Sequence, residues 1–234
     1  MMTVELDPSV LTGADLFDVL DAQDRAEVLR VGVVRRLPQG KRIFAQGDPG
    51  ITCHSLLEGR VKIVQTRPDG AQSVIRFIGP GEMYGTVAAL MDMPFPADSV
   101  AVLDSLEIYW PVKVMRELMT RFPQVAIRSA ASAGHRLFEL QNRVGELSGE
   151  RVEQRIAHAL VRLVRQAGRR TDEGIEIDFP ITRQELAEMA GSTLHTVSRT
   201  LASWDDRGIT ASSRRHIVVR KLHVLLDMAD HGAS

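Results

Sequence analysis

The 234-residue chain has one cysteine, two tryptophans and two tyrosines, and aromatic residues make up only 5% of it. A single thiol, Cys53, cannot close a disulfide within the chain, nor can it supply the several thiolates that an iron–sulfur cluster takes from one polypeptide. No apolar run approaches the ~20 residues that cross a bilayer, and the N-terminus lacks the apolar core of a secretory signal. The expected protein is therefore cytoplasmic, with no membrane partner. Charge of one sign is also missing, because 29 basic residues face 30 acidic ones for a net −1. This excludes an unstructured polycation that coats nucleic acid, but not a reader whose positive charge is gathered on one face.

What the chain does have is the stretch Ile181 to Trp204, ITRQELAEMAGSTLHTVSRTLASW. Thr182 followed three residues later by Glu185 is a capping box, so a helix starts there, with Leu186, Ala187, Met189 and Ala190 on its apolar face. Gly191, Ser192 and Thr193 supply a turn and new caps, and a second helix follows. Leu194, Val197 and Leu201 are expected on its buried side, which turns His195, Thr196, Ser198 and Arg199 outward. Two short helices joined at a glycine form a helix-turn-helix, whose second helix enters the DNA major groove. An inert helical hairpin has no use for that polar face. Arg199 has the fork that matches guanine O6 and N7, and Ser198 can bond a neighbouring base or touch a thymine methyl.

The rest of the chain falls into place around this motif. Residues 15–29 are expected to form an amphipathic helix. From Val33 to Trp110, short β-rich pieces alternate with turns such as Pro68-Asp69-Gly70 and Gly79-Pro80-Gly81, the texture of an all-β roll or jelly roll. After a short helix at 112–119, the positions Ala126, Ala130, Ala133, Leu137, Leu140, Val144 and Leu147 recur at alternating spacings of four and three, the seam of a dimer helix. Ser148-Gly149-Glu150 breaks it, and a helix through Val152 to Val164 follows. A polar turn at 168–174 then leads to a strand at 175–179. Past Gly208, residues 209–211 and 216–219 form a hairpin wing whose tip carries Arg214 and Arg215, basic residues placed for phosphate. Arg151, Arg155, Arg162, Arg165, Arg169 and Arg170 are either part of the same phosphate-facing surface or a solvated helix face. The fold class is α+β: a β-roll sensor domain at 1–122, a dimerisation helix at 123–149 and a winged helix-turn-helix domain at 150–234.

Across nearly its whole length the chain resembles the CRP/FNR superfamily of bacterial transcription regulators, through its glycine-punctuated β-roll, RIAHALVRLVRQ, FPITRQELAEMAGSTLHTVSRTLASW and the wing RGITASSRRHIVV. The resemblance implies a homodimer on a pseudo-palindromic duplex, with RNA polymerase as a partner. It implies that Ser198 and Arg199 match the Ser-Arg pair that reads a TTG half-site in FNR-like members, and that Arg183 matches a contact to the DNA backbone. His195 departs from the usual Glu there. The HTVSR run is similar to the NnrR group of nitrogen-oxide-responsive regulators.

The signal is read by elimination. Cyclic-nucleotide-binding relatives follow their Gly-Glu with Arg-Ser/Thr-Ala, which grips the phosphate. Here Gly81-Glu82 is followed by Pro94 to Val100 without an arginine and with Asp98, so cyclic AMP is not expected. An FNR-type iron–sulfur cluster fails for want of cysteines. Haem, a small organic effector, a Cys53 thiol or no effector remain, and His54 and His135 are the candidate haem ligands, with nitric oxide as the signal. An enzyme built on a cupin-like metal site would need several histidines on the strands, and the β half has only His54.

Overall fold

The structure is a computed structural model that describes residues 7–231. It divides into two compact units, one running to residue 71 and from 75 to 138, the other from 139 onward together with 72–74. The division at 138/139 falls within the helix that spans Pro123–Gly149.

The first unit opens with turns in place of most of the expected helix over 15–29. Helix α1 (Ala22–Arg30) starts only where the Asp21 carboxylate accepts the amide of Asp24 at 2.8 Å. The residues before it fold as turns that bury Leu16, Phe17 and Leu20, with Phe17 5.1 Å from the Trp110 ring. Strands β1 (Val33–Leu37), β2 (Arg42–Phe44), β3 (Thr52–Glu58), β4 (Val61–Thr66), β5 (Gln72–Ile78) and β6 (Met83–Tyr84) lead to the short helix α2 (Thr86–Leu90). Strands β7 (Asp98–Ala101) and β8 (Ser105–Pro111) follow. They form two four-stranded sheets, ordered β1-β8-β3-β6 and β2-β7-β4-β5. Strand β6 and helix α2 are too short to show a period and are not legible in the sequence.

The pleat explains the roll's two cores. Cys53, Met83, Ile108 and Trp110 point out of the first sheet, onto Leu11, Phe17, Val28 and the helix α3 (Val112–Arg121) residues Met115 and Leu118. Leu56 and Tyr84 point inward, toward Val61, Ile78 and Ala101 of the second sheet. Because β8 is covered on both faces, Ser105 to Ile108 and Trp110 are all buried rather than alternating, with Tyr109 half-buried.

Helix α4 (Pro123–Gly149) runs 27 residues, about 40 Å at the helical rise. Val125 is its one fully buried residue. Leu137, Leu140, Val144 and Leu147 of the expected seam are exposed, and so are the flanking Ile127 and Phe138.

In the second unit, α5 (Val152–Ala167) buries Ile156, Ala157, Leu160, Leu163 and Val164 on one stripe. The expected polar turn at 168–174 is instead β9 (Gly168–Thr171), the first arm of a hairpin with β10 (Gly174–Ile177). Arg169 faces Glu176 across the hairpin and pairs with it at 2.5 Å and with Asp178 at 3.1 Å, so its charges fit a strand pair as well as a loop. Helices α6 (Arg183–Ala190) and α7 (Leu194–Asp206) are followed by the wing, β11 (Thr210–Ser212) and β12 (Ile217–Val219), and by α8 (Leu222–His231). The strands assemble in the order β11-β12-β10-β9. Trp204 is fully buried, and its indole donates to the Glu153 carboxylate at 2.8 Å.

Candidate nucleic-acid interface

The two-helix motif is held at both ends. Thr182 and Glu185 form the reciprocal capping box at the start of α6. At its other end Gly191, with φ +57, takes the left-handed conformation that stops the helix. A Cβ there would lie 2.6 Å from Leu147 Cδ2, so the end of that exposed leucine would have to shift, and the positive φ itself is what favours glycine. Thr193 caps α7 by accepting the Thr196 amide at 3.2 Å, and the two threonine hydroxyls lie 3.0 Å apart. Thr193 and Thr196 thus fix the helix start, a role that competes with base reading.

Val197, Leu201 and Trp204 carry α7 onto the core. His195 and Arg199 are exposed one turn apart, with Ser198 half-buried beside them and Ser192 half-buried in the turn. Leu194 is not on the buried side as expected: it is 43% exposed. Helical side chains lean toward the N-terminus, so the first residue of α7 leans off the helix end rather than onto the core beneath Val197.

The wing is built by Asp205, which accepts the hydroxyls of Thr210 and Ser212 at 2.6 Å each. Arg183 donates to the same Ser212 at 3.2 Å, which ties the start of α6 to the wing. Arg214 and Arg215 are exposed at the wing tip, in a turn closed by the Ser213 amide on the His216 carbonyl at 2.8 Å. Among the described residues, Arg199, Arg214 and Arg215 form no ion pair. No carboxylate among the described residues neutralises these cations.

Several other arginines flanking the motif have internal partners. Arg162 is bound to Glu146 at 2.8 Å, Arg169 is paired as above, and Arg220 reaches Glu173 at 3.3 Å. Arg155 spends its guanidinium on three carbonyls, at Glu150 (2.7 Å), Ala190 (2.9 Å) and Gly191 (3.1 Å), and Arg143 donates to Met189 at 2.7 Å. The last carbonyls of α6 lack partners within their own helix, and these side chains satisfy them. Sequence reasoning assigned Arg155 to a charged surface and missed this role, since nothing in the local pattern points an arginine at a carbonyl 36 residues away.

Inside the β-roll lies a second polar constellation. The Glu107 carboxylate is wholly buried and accepts from Arg35 Nε at 2.7 Å, from the Tyr84 hydroxyl, and from His54 Nδ1, 3.2 Å away. Burial would push the Glu107 carboxyl up, but the hydrogen bond and charge of His54, the Tyr84 hydroxyl and the Arg35 charge together hold it below its ordinary value. Burial and then the Glu107 charge push the Tyr84 phenol well up, so it stays protonated and donates. The rings of Phe44 and Phe95 stack 3.9 Å apart in the same chamber, and His54 stacks on Tyr84 at 5.0 Å.

These contacts bear on the haem expectation. His54 is 2% exposed, with Nε2 2.8 Å from the Thr52 hydroxyl and Nδ1 on Glu107, so neither nitrogen is open to iron. His135 is exposed on α4. As arranged, the two do not fit a haem. Cys53 does not fit a reactive thiol either: the pleat turns it to the face opposite His54, it is fully buried, and burial pushes its thiol up to about 12. Among the described residues no three His, Cys, Asp or Glu side chains gather as a metal site, and no helix is long and apolar enough to cross a membrane.

Residues 154–228 match the Crp-like helix-turn-helix domain, and residues 34–122 match the cyclic nucleotide-binding domain. The chain is 32% identical to the cyclic AMP receptor protein of Thermus thermophilus, over 94% of this chain and 98% of that one. It is 28% identical to the nitrogen fixation regulation protein FixK of Rhizobium meliloti, over 74% and 75%. Among solved structures, the catabolite activator protein of Thermus thermophilus aligns with 94% of this chain and 100% of its own, at 32% identity and a TM-score of 0.54. FixK2 from Bradyrhizobium japonicum shares the fold at 22% identity and a TM-score of 0.73, over 84% and 96%. With a reading helix, a basic wing and a β-roll in one chain, and a relative this similar along its full length, the protein belongs to the CRP/FNR family of DNA-binding transcription regulators rather than to any family of enzymes.

Proposed function

We propose that the chain works in the cytoplasm as a homodimer that reads two inverted TTG half-sites and recruits or blocks RNA polymerase there. The observation that carries this reading is the exposed Arg199 next to Ser198 on α7, with the unpaired Arg214 and Arg215 on the wing beyond. A guanidinium fork on guanine and a hydroxyl on the adjacent pair are the contacts a TTG triplet offers, and the wing arginines meet phosphate without regard to sequence. The exposed apolar face of α4, with Leu137, Leu140, Val144 and Leu147, supports pairing with a second copy.

Cyclic AMP is not the effector in this reading, although the Thermus relative is named for it. The segment after Gly81-Glu82 offers no cation, the Asp98 carboxylate there accepts the Gln46 amide at 2.8 Å, and Phe95 lies against Phe44. Nitric oxide sensing through haem, which the likeness of HTVSR to the NnrR group suggests, requires His54 to leave Thr52 and Glu107. Titration with haem tests it, and a titration without a Soret shift removes it.

The deciding experiment measures binding to a duplex with two inverted TTG triplets and to a scrambled one. Tighter binding to the first is expected, and equal binding defeats the proposal. Arg199→Ala should lose about 1–3 kcal/mol on the cognate duplex and almost nothing on the scrambled one.

A further inference from the structure

Between α4 and α5 the helical backbone is broken at Glu150 and Arg151, the latter extended with φ −65 and ψ 151. In a dimer paired along α4, the distance and twist between the two reading helices then depend on side chains that tie α5 and α6 of each copy to its own α4. Two such ties leave the last turns of α4 from one side, three residues apart. Glu146 holds Arg162 of α5, whose Nη1 lies 2.8 Å from both carboxylate oxygens. Arg143, half-buried, donates to the Met189 carbonyl at the end of α6 at 2.7 Å. That carbonyl is among the last four of its helix, so it takes its donor from outside. Arg155 caps the next two carbonyls, at Ala190 and Gly191, but from α5; Arg143 reaches α6 directly from the helix that pairs. Leu147, one turn on, adds a contact at the same end, its Cδ2 2.6 Å from where Gly191 would carry a Cβ.

We infer that Arg143 is a positioning residue that sets the half-site spacing the dimer accepts, by locking the reading motif to the dimer helix through the Met189 carbonyl. The inference rests on the reading above that α4 pairs and α7 enters the groove. One tie leaves a rotation about the break at 150–151; two ties, to different helices, remove it. Adding one base pair between the half-sites shifts one of them by about 3.4 Å along the duplex and turns it by about 35° around the axis. A locked motif cannot follow that displacement, whereas a motif free to turn about the break can. Loss of the tie therefore changes how binding depends on spacing, while a general loosening of the fold lowers binding at every spacing alike.

The test uses duplexes whose inverted TTG triplets stand at the best-bound spacing, or one or two base pairs nearer or farther, titrated by fluorescence anisotropy with full-length protein. The unaltered protein should lose about tenfold for one base pair added or removed, and Arg143→Met about threefold or less across the same set. Arg143→Lys, which keeps one donor on a long stem for this one carbonyl, should restore a sharp profile. Should Arg143→Met lose helix content, Arg143→Gln, shorter and still polar, is read by the same ratio. Equal losses at every spacing, with the shape of the profile kept, would show that Arg143 is merely structural and overturn the inference. A lysine variant as tolerant of spacing as Arg143→Met would do the same, since the bond to Met189 would not be what matters. If the unaltered protein prefers TTG but accepts every spacing alike, this inference fails and the reading above stands; if it binds TTG and scrambled duplexes equally, the reading fails first.

Discussion

Arg155 Nε donates to the Ala190 carbonyl at 2.9 Å, and this contact joins the first turns of α5 to the end of the helix that precedes the DNA-reading one. The same guanidinium also holds Glu150 and Gly191, so the break after α4 and the turn of the motif share one side chain. Arg155→Met keeps the stem and removes all of these bonds, at a cost of about 3 kcal/mol locally. Faster amide exchange at Ser192, whose N–H is bound to Ala187 at 2.9 Å, should accompany weaker DNA binding at unchanged dimer mass. Lysine should not rescue, because a point donor cannot span three carbonyls; full rescue by lysine would show that charge alone matters.

Cys53 should be inert in the native protein. Its thiol is fully buried and pushed up to about 12, so almost no thiolate exists at neutral pH and no reagent reaches it. A thiol-specific chromogenic reagent should report no reaction until denaturant is added, and then one thiol per chain. Prompt reaction in buffer would restore the thiol-sensor reading.

The helix-turn-helix was legible in the sequence because its caps, its glycine and its apolar period all act within a few residues. Thr182, Glu185, Gly191 and Val197 each do what local chemistry says they do. Most strands of the roll and the wing were legible for the same reason, since Gly and Pro mark their ends, but the two-residue β6 was not. What was hidden depends on distant partners. Glu107 lies in SLEIYW with nothing to announce that Arg35, 72 positions away, and His54, 53 positions away, would converge on it. Leu194 was misplaced because periodicity assigns a face but does not register that the helix has just begun. Residues 168–171 read as a turn because their strand partner is set by cross-hairpin pairing, not by hydrophobic alternation.

The α4 seam gives a direct test of assembly. Leu140 is 51% exposed, so aspartate there disturbs no internal packing of the chain, while in a paired helix it would bury a charge against an apolar knob. Leu140→Asp should halve the mass seen by light scattering and abolish binding to the two-half-site duplex, with helix content retained. An unchanged mass would place the interface elsewhere.

The Glu107 cluster predicts a particular dependence on pH. Its carboxyl is held below the ordinary value of 4.5 in the folded state by His54, Tyr84 and Arg35. A carboxylate lowered on folding stabilises above its unfolded value and loses that contribution as pH falls through the folded one. Glu107→Gln puts a neutral amide among groups that need an anionic acceptor, and breaking such a buried set costs about 3 kcal/mol near neutrality. Urea midpoints of the two proteins should therefore be well separated above about pH 5 and converge as the solution is made more acidic, because protonation removes from the unaltered protein what the substitution has already removed. A gap that stays constant or widens into acid would mean that the shape of the side chain matters and its charge does not, and that Arg35 and His54 draw no stability from it.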